Sequence, residues 1–113
     1  MKEFLLIFRA NVDNDPSQRS PEQMQATMKL WQDWLGSIAA QNKLVTSGDR
    51  LAAAGKVLKA GIVTDGPYVE LKEAVGGYSI IRAGSLEEAA DLSAGCPILK
   101  INGTVEVREV IKM

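Results

Sequence analysis

The sequence predicts an α+β domain: a ferredoxin-like sandwich of four main strands and two helices. Three observations predict it. Two capping boxes, Ser20 with Gln23 and Ser85 with Glu88, mark two helix starts. Short apolar runs that suit strands precede and follow each helix, over residues 4–8, 43–51, 78–82 and 104–111. The length, 113 residues, allows one core and no second domain, so residues 1–113 are read as a single unit. By size scaling such a chain buries about two thirds of its unfolded surface, leaving roughly 6,100 Å² exposed.

Taken in order, the run over residues 4–8 is apolar without alternation, the mark of a strand covered on both faces. Residues 11–19 are polar and contain Asn14-Asp15-Pro16, a loop signal. Ser20 then caps a helix with Pro21 at its first position. Met24, Met28, Trp31, Leu35 and Ile38 recur at spacings of four and three and form one apolar stripe, with Trp34 at its edge. Asn42 suits the left-handed end of that helix. Residues 43–51 read as a short strand with an irregular exit at Gly48-Asp49, and residues 56–63 as a small hairpin about Ala60-Gly61. Thr64, Asp65, Gly66 and Pro67 read as a compact turn. Gly76 and Gly77 lead into the strand over 78–82. The second helix packs through Ala89, Ala90 and Leu92 and is closed by Gly95 and Pro97. In the last strand Val105 and Val107 alternate with Glu106 and Arg108. If both helices cover one sheet face, apolar residues of the first strand and Tyr78 or Ile81 are left on the other. Such a patch predicts face-to-face homodimerisation.

Composition excludes whole classes of chemistry. Apolar residues are 46% and charged residues 24%, a globular balance with a net charge of −1. That charge gives no basic surface for direct nucleic-acid contact. There is no histidine, which removes histidine zinc sites, Ser-His-Asp triads and Cys-His dyads. The lone Cys96 has no internal disulfide partner and no histidine to activate it, so a reducing compartment is expected and a nucleophilic role is not. The apolar run at the start is too short for a signal core or a membrane span, which points to a cytoplasmic domain without membrane contact. Neither GxGxxG nor GxxxxGK occurs, and no calcium loop, so neither a cofactor nor a metal is expected.

Several residues could carry function. Asp65 is either a proton acceptor in a pocket under a barrel rim or an acceptor within its own turn. Gly66 and Pro67 set backbone geometry under both readings. Glu70 and Lys72 share a strand face and either contact an anionic or carbonyl ligand or form a solvated charge cluster, while Tyr68 and Tyr78 could bring hydroxyls to a cavity. Arg82 and Arg108 either receive a carboxylate with their planar forks or pair with Glu106 or Glu109. Trp31 and Trp34 lie three apart, so one fills the core and the other lines a cleft or a dimer contact.

The stretch Val63-Thr64-Asp65-Gly66-Pro67-Tyr68-Val69-Glu70-Leu71-Lys72-Glu73, followed by Gly76-Gly77-Tyr78, resembles the signature of the YCII-related domains. Within them it is most similar to the group called DGPF after its Asp-Gly-Pro-Phe motif. The Lys-Glu-Phe-Leu-Leu-Ile start, the Ser-Pro-Glu helix opening and the final Val-Glu-Val-Arg-Glu-Val strand fit too. The resemblance implies a ferredoxin-like fold that pairs into a dimeric α/β barrel. It also implies either a small-molecule site, in some relatives an acid-base pair of histidine and aspartate, or a link to transcription initiation through a sigma-factor partner. This chain departs from the family at two places. Trp31 stands where a first-helix histidine is usual, which puts histidine-aspartate chemistry in doubt. Tyr68 replaces phenylalanine, which keeps the ring and adds a hydroxyl.

Overall fold

Ten consecutive strand residues, β1 (Lys2–Asn11), form the hydrogen-bonded centre of the protein. In the computed structural model, which describes residues 1–11, 20–66 and 73–113, β1 is followed by α1 (Pro21–Ala40) and β2 (Leu44–Thr46). Then come β3 (Gly55–Lys59), β4 (Ile62–Gly66), β5 (Glu73–Ala83), α2 (Leu86–Ser93), a 3₁₀ turn (Pro97–Ile101) and β6 (Thr104–Glu109). The main sheet has the order β2-β5-β1-β6 and its pairings are antiparallel; β3 and β4 form a separate two-stranded sheet. The α+β class with two helices and a four-stranded antiparallel sheet is the predicted one, and the strand order is that of a ferredoxin-like sandwich.

Register decides which side chains meet. Phe4 faces Ile81, Leu6 faces Ser79 and Phe8 faces Gly77, while β6 brings Val107 opposite Leu6 and Val105 opposite Phe8. These even positions of β1 point to the helices and are buried with Trp34, Ile38, Ala83, Ala89 and Ile98 in one core. Each fully buried large side chain there contributes about 1.5–3 kcal/mol. Both helices therefore lie on one face, and Val105 and Val107 point inward as their alternation predicts.

The caps behave as short-range chemistry dictates. Ser20 Oγ accepts from Gln23 N, and the Gln23 side chain accepts from Ser20 N. At α2, Ser85 Oγ accepts from Glu88 N, but the Glu88 carboxylate reaches one residue further back and accepts from Gly84 N. Lys43 pairs with the same carboxylate and ties the start of α2 to β2. The end of α1 falls where expected, with Asn42 in the left-handed conformation at φ 59°.

Five expectations are corrected. Trp34 is not at the edge of the α1 stripe but in the core, and its indole Nε1 donates to Leu92 O at 2.9 Å. Met24 and Met28 are exposed, because the sheet lies under the C-terminal half of α1 and the core takes Trp34 and Ile38. Ile81 is buried beneath the helices, so the residue left on the other face is Ile80, since Ile81 pairs with Phe4 and Ile80 with Leu5. Ala90 faces water, and Ser93 takes an inner position, its Oγ donating to Ala89 O at 2.8 Å. Thr64, Asp65 and Gly66 are not a turn: they extend β4, opposite Val57, Lys56 and Gly55. The loop expected over 11–19 lies outside the described residues apart from Asn11, which ends β1.

Candidate functional site

The face of the main sheet away from the helices is built from the odd residues of β1. Glu3 lies opposite Arg82, Leu5 between Ile80 and Arg108, Ile7 between Tyr78 and Glu106, and Arg9 between Val75 and Thr104. Leu5, Ile7, Tyr78 and Ile80 are half-buried and form an apolar centre. Charges surround it. Glu106 accepts from Arg9 Nη1 and from Arg108 Nη1, the latter at 3.2 Å, and these hydrogen bonds, Arg9 first, hold its carboxyl below the ordinary 4.5. Glu3 pairs with Lys112 at 2.9 Å and Lys2 with Glu109 at 3.7 Å. Arg108 thus makes the pairing with Glu106 that the sequence left as one of two readings, while among the described residues Arg82 has no ion-pair partner.

Strand β4 carries Asp65 into the hairpin instead. Its side chain is 87% exposed and pairs with Lys56 Nζ, directly opposite in the register. Gly66 lies opposite Gly55, and a Cβ there would sit 3.2 Å from Gly55 C, so glycine permits the close pairing. Pro67, Tyr68, Glu70 and Lys72 lie outside the described residues.

Gly76 and Gly77 anchor the segment that leads into the hairpin. Leu51 N donates to Gly76 O at 2.8 Å and Tyr78 N to Asp49 O at 3.2 Å. A Cβ on Gly77 would meet Asp49 O at 2.9 Å, so the chain passes too close for a side chain. Gly48, at φ 68°, crosses just as tightly over Tyr78. At Gly48 and Gly77 the close approach leaves no room for a side chain, whereas a Cβ on Gly76 would make only an ordinary contact, 3.9 Å from Phe8 O.

Trp31 stands behind the sheet. Half-buried on α1, it meets Phe8 edge-on at 5.1 Å between centroids and Trp34 at 5.7 Å. Phe8 points to the helices, so Trp31 is on the opposite side of the sheet from Arg82 and Arg108. The residues singled out in the sequence therefore occupy three places: an aromatic cluster under α1, an arginine-flanked sheet face, and the hairpin. Of the described candidates, Arg82, Arg108 and Tyr78 share the open sheet face.

Cys96 is buried, and burial pushes its thiol up to about 11, which leaves it inert at neutral pH. Among the described residues no three carboxylates or thiols gather as a metal site. An open depression of about 330 Å³ lies between Met1, Lys2, Glu3 and residues 109–112. No described helix is long and apolar enough to cross a membrane. Sequence reasoning missed Arg9, which joins Glu106 and Arg108; the period-2 position of Arg9 on β1 was legible, but its partner depends on β6 pairing across nearly the whole chain.

An antiparallel four-stranded sheet with both helices on one face and an arginine-flanked apolar surface on the other defines an α+β sandwich whose second sheet face carries no described helix or strand. The family model for the YCII-related domain matches residues 5–113, and the chain belongs to that family. No curated protein matches the chain significantly.

Proposed function

We propose that the protein is a homodimer that pairs its open sheet faces into an α/β barrel and binds a small carboxylate there. One observation carries this reading: a half-buried apolar centre, Leu5, Ile7, Tyr78 and Ile80, is flanked on a single face by Arg82 and Arg108. Apolar side chains between charged rims are the usual anatomy of an interface. The two arginines flank β1 two residues apart in register, their backbones about 12 Å apart, close enough for both forks to reach one ligand carboxylate. Arg108 exchanges Glu106 for that ligand, and Arg82 is free to turn toward it. Binding, rather than proton transfer, is the activity assigned, because the exposed Asp65 belongs to the separate two-stranded sheet and is held there in an ion pair with Lys56.

Light scattering at micromolar concentration is expected to give twice the 12.2 kDa chain mass. A panel of small aromatic and aliphatic carboxylates is expected to contain members that raise the melting midpoint of the wild type and not of an Arg82→Ala, Arg108→Ala variant. A 12 kDa particle ends the barrel reading. A panel without one stabilising member ends the ligand reading.

A further inference from the structure

We infer that the β3–β4 hairpin is a dimerisation arm, packed against a second copy of this chain. The inference rests on the dimer proposed above. Leu58 and Val63 face each other on one side of the hairpin, and Ile62 lies on the other, 74%, 62% and 56% exposed respectively. Large apolar side chains on both sides of a two-stranded sheet, with no layer on either among the described residues, do not make a stable unit in water. Something covers them.

Two arguments identify that cover as a second copy. The first is continuity. The segment before β3 is stitched to β5 by the Arg50–Gly77 bridge and the bond from Tyr78 N to Asp49 O, and Tyr78 belongs to the apolar centre of the open face. The arm therefore leaves the sheet beside the surface proposed to meet the partner. The second is area. The four apolar side chains of the open face are already half covered by their neighbours and have little left to bury, whereas a stable interface takes about 800 Å² from each partner. The hairpin holds apolar surface of the kind needed to make up the difference.

Hydrogen exchange measured above and below the dimer dissociation concentration tests the arm, with light scattering run on the same samples. Amides of residues 55–66 are expected to be protected in the dimer and to exchange at least tenfold faster on dilution to monomer, while those of β1 and β5 stay protected. A Leu58→Asp, Val63→Asp variant is expected to keep the wild-type circular dichroism and to dimerise at least tenfold more weakly. Hairpin amides unprotected in a sample that scatters as a dimer overturn the arm and leave the dimer standing. Equal protection at both concentrations also overturns it, because the cover is then the chain's own. A wild type that is monomeric throughout overturns the dimer reading, and the arm with it.

Discussion

The main sheet and the hairpin are both antiparallel and both rich in valine, leucine and isoleucine, yet they are held together differently. In the sheet, Phe4, Leu6 and Ile81 lie beneath two helices and lose all contact with water. In the hairpin, Leu58 and Val63 make the same kind of cross-strand pair and stay largely exposed. Strand propensity and register are alike in the two regions, so the difference teaches that a layer, not a ladder, sets stability. A second difference follows. The sheet resists change at single core residues, whereas the hairpin responds to whatever covers it.

The comparison breaks most visibly at Phe4. Replacing it by alanine empties a site buried between α1, α2 and the neighbouring strands, which costs about 3–5 kcal/mol and lowers the melting midpoint on the order of 15 °C. Leu58→Ala is expected to leave the midpoint of the monomer unchanged, by calorimetry at a concentration where the wild type is dissociated. Equal losses for the two would erase the distinction. Next comes Gly77→Ala, at the joint between the regions. The added Cβ meets Asp49 O at 2.9 Å, a backbone atom that cannot swing aside, and the strain costs about 1–3 kcal/mol. Because Gly77 anchors the segment entering β3, this variant is also expected to speed hydrogen exchange in the hairpin more than in β1.

How much of this was legible in the sequence varies with the range of the interaction. Ser20 with Gln23, the end of α1 at Asn42 and the inward Val105 and Val107 are local, and each was readable from spacing alone. Trp34 was misplaced because two tryptophans three apart fit an apolar stripe equally well, and the choice falls to Leu92 O on another helix. Ile80 and Ile81 exchange roles for the same reason, since only pairing with β1 sets which of two adjacent isoleucines faces the helices. Turn chemistry misled at Thr64, Asp65 and Gly66, where residues typical of turns continue a strand because Gly55 and Lys56 lie opposite to pair with them. Of the candidate site, the arginines were legible as types and as residues of two strands the fold could bring near each other, and those strands lie on either side of β1. Tyr68 and Lys72 lie outside the described residues.

A smaller effect separates the regions by pH. Glu106, held low by Arg9 and Arg108, and Glu88, held low by Lys43 and Gly84 N, both belong to the sandwich. A carboxylate whose folded value lies below its unfolded value contributes stability that is present above the unfolded value, near 4.5, and is lost as pH falls through the folded one. The melting midpoint is therefore expected to fall as pH drops below about 4.5. Glu106→Gln should melt lower than wild type at pH 7 and converge with it in acid. Parallel curves across the whole range would show that Arg9 and Arg108 contribute nothing through that carboxylate.

The smallest effect is expected at Asp65, the residue its motif marks most strongly. Its carboxylate is 87% exposed and meets Lys56 across a hairpin that water reaches from both sides, and exposed pairs of this kind are worth little. Asp65→Ala should move the melting midpoint by less than about 2 °C. A loss of several degrees would mean that the carboxylate holds more than one lysine in place, and would bring the hairpin into the cooperative unit of the sheet. A gain would mean that the charge is kept in the hairpin at a cost to stability, as groups that serve binding or catalysis often are. Melting the variant at two concentrations separates these cases: a change confined to the dimer places Asp65 at the surface where the arm meets its partner, and a change in the monomer places it in the fold itself.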